Sequence, residues 1–306
     1  MDPAESGSAV VVRANGIGHL GNRMFVYLFA HRLVGELRGA VLTGSPLPTW
    51  GILPPKIPVP FPSISIQGHH PNLPAILHLV RSGIVKGVET SALACRMELL
   101  PSLKEASRIF APPSLKVPRF GEDTLVINVR LPQSNDQPHA GMRPLPISFY
   151  ARLVEETRLC PVFMGQLGRD PYSEALRARF PLAKFIPSMG AMEDFATIRL
   201  ARHVVCSVST FSWLAAWLSR ARTIHLPMIG FLHPQQRPDV NLLPITDARY
   251  RFYDFGPARW PGTEEALHAA MHGDEAGEHV EAPVLASRLH GIQGWAGHTP
   301  ELVLSS

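Results

Sequence analysis

Ser209-Thr210-Phe211-Ser212-Trp213-Leu214-Ala215-Ala216-Trp217 follows directly on the β-branched run Val204-Val205-Cys206-Ser207-Val208. A strand that ends in hydroxyl residues and turns straight into a helix gathers backbone N–H groups at one point, and phosphate binds readily there. The same residues also describe an ordinary strand–turn–helix in which Ser209 or Thr210 caps the helix. Trp213 and Trp217, at i and i+4, suit packing of that helix on a sheet better than they suit a sugar platform.

The alternation of strand and helix continues on both sides of this block. Upstream, Thr124–Arg130 reads as a strand, Ser148 as the cap of a helix running to Arg158, and Pro161–Met164 as a strand ended by Gly165. A helix over Tyr172–Phe180, a short strand at Phe185-Ile186 and a helix over Glu193–His203 lead into the strand Val204–Val208. Downstream come a helix over Phe211–Arg220 and a strand over Thr223–Leu226.

The N-terminal part repeats this grammar. Ala9–Ala14 is a buried strand, Asn15–Gly21 a glycine-rich turn, Asn22–Arg38 a helix with Phe25, Leu28, Phe29, Leu33 and Leu37 inward, and Ala40–Thr43 a second strand. Strand–helix–strand order of this kind opens a parallel α/β sheet. The proline-rich residues 44–75 predict a long irregular excursion, residues 74–110 carry mixed helical signals, and 111–121 looks like a crossing between domains. Residues 262–306 predict at most short helices in a peripheral tail. The expected division is therefore 1–120, 121–260 and a tail at 261–306, in the α/β class.

The composition narrows the function. The chain has 306 residues with 45% hydrophobic and 18% charged, enough for a large core. Its net charge of +4 comes from scattered arginines rather than a basic block, so no nucleic-acid partner is expected. The three cysteines, Cys95, Cys160 and Cys206, have neither metal-ligand nor disulfide-framework spacing, and Cys206 reads as core. No metal ion is expected. The first residues are polar and acidic, unlike a signal peptide, and no apolar run has membrane length. The expectation is a cytoplasmic protein with at most peripheral membrane association.

Three strand ends carry candidate chemistry. Gly16-x-Gly18-x-x-Gly21 matches the dinucleotide fingerprint literally, between a strand and a helix. That reading needs an acidic residue at the end of the second strand, where Thr43-Gly44-Ser45 stands instead; after it the first acidic residue is Glu89. The glycines also suit a plain tight turn, and Gly21-Asn22 places a short amide beside bare backbone, to cap the helix or to bond a ligand. Arg130 ends the strand 124–130, where a guanidinium can fork onto phosphate or make a surface ion pair. Asn128 shares its strand face. Asp194 precedes the hydroxyl turn 209–212; a carboxylate there either accepts from the N1 and N2 donors of guanine or complements a helix dipole.

Taken together, these segments resemble a known family. Gly18-His19-Leu20-Gly21-Asn22-Arg23-Met24-Phe25-Val26-Tyr27 is similar to the G-x-G-N-Q-M-F-x-Y opening of the alpha-1,2-fucosyltransferase-like glycosyltransferases. Ser207–Leu218 is similar to their S-x-S-x-F-S-W-W-x-A-W-L block, and Asn128-Val129-Arg130 falls where the wider superfamily carries H-x-R-R-x-D. The resemblance covers residues 9–43 and 124–230. It implies a GT-B architecture, two Rossmann-like domains facing across a cleft, and metal-independent, inverting transfer from a GDP-sugar, usually GDP-fucose, to a glycan hydroxyl. It implies no cofactor beyond that nucleotide-sugar donor. Arg130 would clamp the β-phosphate, and Ser209, Thr210, Phe211 and Ser212 would face the diphosphate. Asp194 would read guanine, and Gly21 and Asn22 would face the sugar and the glycan acceptor. Asp136 and His139 are the candidates for general base.

The chain departs from the family at several positions. Asn128 replaces the motif histidine, Leu131 the second arginine, and Gln133 stands at or near the acid; Met164-Gly165-Gln166 replaces an expected acidic turn. A different donor, compensation by Arg143 or Arg169, or binding without turnover would each account for this.

Overall fold

The structure is a computed structural model that describes residues 9–131, 142–293 and 303–304. The chain forms two compact units, which divide between Ala111 and Pro112.

The first unit is built from strands β1 (Val11–Ala14), β2 (Val41–Gly44), β3 (Ser63–Ile66) and β4 (Gly87–Thr90), with helices α1 (Leu20–Glu36), α2 (Leu73–Arg81) and α3 (Leu103–Ile109). The strands pair in parallel in the order β3-β4-β1-β2. The apolar positions read for the first helix are buried: Phe25, Leu28, Phe29 and Leu33 all have zero exposure. Phe29 and Leu33 share a core with Val12, Ile64, Ile66, Ile76 and Val88. β3 corrects the expectation of an irregular excursion over 44–75. Its four residues alternate Ser and Ile, and all but Ser65 are buried. The surrounding prolines confine the strand to four residues without preventing it.

The second unit contains β5 (Thr124–Val129), α4 (Ile147–Thr157), β6 (Cys160–Gly165), α5 (Pro171–Arg179), β7 (Lys184–Pro187), α6 (Ala191–Leu200), β8 (His203–Val205), α7 (Thr210–Trp217), β9 (Thr223–Met228) and β10 (Tyr250–Asp254). It continues through α8 (Glu264–His272), β11 (Glu278–Val280) and α9 (Ala282–Gln293). The sheet order is β11-β10-β9-β8-β5-β6-β7, parallel throughout except for β11. From β5 the chain steps outward through β6 and β7, then returns to the other side of β5 for β8, β9 and β10. This is the strand order of a Rossmann-like doubly wound sheet. β5 has all six residues buried, as a central strand covered on both faces requires. Its Leu125, Ile127 and Val129 pack with Phe149, Tyr150, Leu153 and Phe163.

Two expectations are corrected in this unit. Residues 264–293 are not a peripheral tail. Thr263 caps α8, accepting from the Ala266 amide at 3.3 Å, and α8 packs on α4. β11 adds an antiparallel edge to β10, and Leu285 and Leu289 of α9 are buried. The division therefore differs from 1–120, 121–260 and 261–306. The short β11 and its antiparallel pairing hide this from an apolar-run reading. Ser148 does not cap α4, which starts one residue earlier behind Pro146; its hydroxyl donates instead to the Glu275 carbonyl. β12 (Val303–Leu304) returns to the first unit and pairs antiparallel with β3.

Candidate functional site

In an open parallel sheet, ligands bind beyond the carboxyl ends of the strands where the winding reverses. In the second unit that place lies between β5 and β8. Sequence-distant residues meet there. Asn128 is buried near the end of β5, and its Oδ1 accepts from Ser207 Oγ at 2.8 Å. The Ser207 amide donates to Ser212 Oγ at 3.1 Å, and the Ser212 amide donates to Ser209 Oγ at 3.4 Å. Ser207 and Ser212 are buried, so these bonds satisfy groups that would otherwise be costly to leave unpaired.

The relay fixes the entry of α7. Ser209 is its N-cap, and Thr210 and Phe211 form its first turn. The N-terminus of a helix carries partial positive charge. α7 is apolar nearly all round: Trp213 is fully buried, donates from Nε1 to the Leu242 carbonyl at 2.8 Å, and stacks on Trp217 with ring centroids 5.4 Å apart. The paired tryptophans thus serve packing, as their spacing predicts, and Cys206 is core. At the other end of α7, Arg249 donates to the Trp217 and Ser219 carbonyls at 3.1 and 2.8 Å while pairing with Asp247.

Arg130 follows β5 directly and is half-buried. The neighbouring loops are laced to this strand end. The Gln166 amide donates to the Val129 carbonyl at 3.0 Å, and Gln166 Oε1 accepts from the Leu131 amide at 2.9 Å. Gly165 sits at φ +108°, and a Cβ there would come within 2.6 Å of the Val129 carbonyl oxygen and 2.9 Å of Asn128 Nδ2. No side chain fits between those groups, so glycine is required.

Asp194 lies in the first turn of α6, whose Phe195 packs edge-on against Phe211 at 5.4 Å. Both carboxylate oxygens are engaged: Oδ2 accepts from Ser188 Oγ at 2.5 Å and Oδ1 from the Met189 amide at 3.1 Å. Burial raises its pKa, and these hydrogen bonds oppose the rise. Asp194 thereby holds the turn between β7 and α6. Arg143 pairs with Glu275 at 2.6 Å, and Arg169 is exposed. Asp136 and His139 lie outside the described residues, as does Gln133.

In the first unit, Gly21 is buried and Asn22 half-buried in the first turn of α1. The loop ahead of them is tied down by the Gly16 amide, which donates to Ser45 Oγ at 2.9 Å. At the end of β2, Thr43 bonds the Pro55 carbonyl and the Ile57 amide. The proline-rich chain therefore covers the place where a dinucleotide's ribose would need its acid. Glu89 stands instead at the end of β4, accepting from Arg13 and Asn15 at 3.3 Å each.

The sequence reading gave Ser207 no role of its own, and set down Gly165 and Gln166 only as a departure from the expected acidic turn. Ser207 had a signal, a polar residue inside an apolar strand. The bond between Gln166 and the Leu131 amide had none, since only the fold brings the two together. Among the described residues no group of three or more His, Cys, Asp or Glu could hold a metal, and no helix is long and apolar enough to cross a membrane.

No protein-family model and no curated protein matches the chain. Among solved structures, it is similar to the iron-containing dodecameric glycosyltransferase TibC of enterotoxigenic E. coli H10407, at 12% identity, 94% of this chain, 76% of that one and a TM-score of 0.43. It is similar to an Arabidopsis thaliana FUT1 variant in complex with GDP, at 10% identity over 82% of this chain and 72% of that one, TM-score 0.42. The E. coli ADP-heptose LPS heptosyltransferase II gives 13% identity, 95% and 100% coverage and a TM-score of 0.41.

Proposed function

We propose that the chain is a glycosyltransferase that moves a sugar, fucose or a relative of it, from a GDP-sugar to a glycan hydroxyl, with inversion and without a metal. The observation that supports this reading is topological: β5 and β8 are neighbours at the switch point, Arg130 follows the carboxyl end of one and the α7 N-terminus follows that of the other. In nucleotide-sugar transfer a diphosphate leaves as positive charge builds on the anomeric carbon. Without a metal, a guanidinium and a helix N-terminus must stabilise that leaving group. One such preorganised donor is worth ~3–4 kcal/mol, or about two to three orders of magnitude in rate.

In this reading Arg130 grips the β-phosphate, and Ser209, Thr210 and Phe211 face the diphosphate. Ser212 acts from behind, holding the turn through Ser207. Asp194 can still accept from guanine, because each carboxylate oxygen has a second lone pair. Asp136 or His139 takes the acceptor's proton.

Thermal stabilisation by GDP, set against UDP, ADP and NAD, tests the nucleotide. GDP is expected to stabilise most; a preference for NAD would overturn the donor assignment. Arg130→Ala is expected to lose at least a hundredfold in donor-dependent transfer or hydrolysis while melting as the parent does, and Arg130→Lys to recover only part of it, because lysine cannot make the forked contact. Undiminished transfer by Arg130→Ala would refute the phosphate placement.

One observation favours binding without turnover. Asn128 holds the position of the motif histidine, and its side-chain oxygen is committed to Ser207, so no acid–base group stands there. That reading predicts stabilisation by GDP with neither donor hydrolysis nor transfer.

A further inference from the structure

The second unit has a cavity of about 450 Å³ away from the switch point, against the opposite, amino-terminal ends of its strands. His203 and Thr223 open β8 and β9, Arg251 and Tyr253 lie on β10, and His279 lies on β11. Register places these side chains together: His203 opposes Thr223, His225 opposes Arg251, and Tyr253 opposes His279. The last turn of α4 closes the cavity with Glu156 and Thr157, and Leu159 supplies an apolar wall.

His225 lines the cavity from the sheet. It is 3% exposed, and its Nδ1 lies 2.9 Å from the Tyr253 hydroxyl. Tyr253 is itself buried, and the two side chains share this hydrogen bond. The other ring nitrogen, Nε2, is buried and has no hydrogen-bond partner among the described residues. Burial, reinforced by the nearby His203, Arg251 and His279, pushes the His225 pKa down to about 3, so the ring is neutral at ordinary pH.

The other groups facing the cavity favour a negative occupant. Arg251 is exposed and spends Nη1 on the Ala248 and Tyr250 carbonyls, which leaves its other nitrogens for a ligand. Glu156 is the opposing charge, and Arg152 already pairs with it at 2.7 Å. His279 lies 3.6 Å from Glu281, an exposed partner. A guanidinium and imidazoles around an apolar wall match a phosphate group carried on a small organic body.

We propose that this cavity is a second ligand site, distinct from the switch point, that takes the phosphate group of a small phosphorylated metabolite. Arg251 and His279 bond the phosphate oxygens at the mouth.

The test is titration of the full chain with inorganic phosphate and with glucose 1-phosphate, followed by ³¹P line broadening and by calorimetry, with potassium chloride at matched ionic strength as control. Saturable binding of both is expected, tighter for the sugar phosphate because the cavity exceeds the volume of phosphate alone. Arg251→Gln is expected to weaken both about tenfold. Glu156→Gln is expected to strengthen both, because it removes the opposing charge. His279→Ala serves as a second probe that spares the buried ring. The proposal is overturned by an equal response to chloride, by binding that Arg251→Gln and His279→Ala leave unchanged, or by competition with GDP, which would place the phosphate at the switch point. Failure of GDP to bind would refute the donor reading and leave this site standing.

Discussion

The side-chain oxygen of Asn128 is the acceptor for Ser207, and the Ser207 amide in turn depends on Ser212. All three residues are buried, so truncating any of them strands a polar partner away from water. Asn128→Ala and Ser212→Ala are each expected to cost about 1–3 kcal/mol in urea unfolding. Because they share one relay, the double variant should cost less than the two losses added. Additive losses would mean that the two bonds act independently. Asp194 shows how a residue can be singled out correctly while its surroundings stay hidden. Its place in the first turn of a helix was readable from the chain; its bonds to Ser188 and Met189 depend on how the turn ahead of the helix bends.

Among elements, α7 was the most legible, because a hydroxyl turn followed by an almost wholly apolar segment leaves few other readings. β5 was legible for a similar reason, a six-residue run buried on both faces. β3, β10 and β11 were not. β3 has four residues between prolines, Tyr250–Asp254 of β10 mixes charge with aromatic rings, and three-residue β11 exists only because β10 presents an edge. The far end of α7 gives the element-scale prediction. Arg249 bonds two carbonyls there and pairs with Asp247, so Arg249→Met should destabilise the second unit by ~1–3 kcal/mol. Burial pulls the Asp247 pKa upward, but hydrogen bonds and the charge of Arg249 outweigh it and hold the carboxyl below its usual value. A carboxyl lowered by folding contributes stability above its unfolded pKa and loses it as pH falls through the folded one. In Asp247→Asn, stability should therefore fall less steeply with acidification than in the parent, as measured by melting temperature against pH.

For the whole molecule, acid sensitivity should also come from His225. Its pKa, lowered from 6.5 to about 3 chiefly by burial, means that the unfolded chain binds a proton that the folded chain refuses across that range. Stability must therefore fall as pH drops from about 6.5 toward 3, and His225→Gln should flatten that part of the profile. An unchanged slope would show that the ring gains access to water. The two units make a second prediction. β12 pairs with β3 although the chain between them builds all of the second unit. Ending the chain before Val303 should thus lower hydrogen-exchange protection in β3 and leave β5 and β8 as they were. The same return has a consequence for synthesis. The ribosome delivers β3 early and its edge partner only after the whole second sheet has emerged, so the nascent first unit carries an open seam through most of translation. Any neighbouring nascent chain with a short extended segment can occupy that seam before residues 303–304 arrive, which makes crowding on a polysome, rather than the finished molecule's stability, the hazard that this connectivity creates.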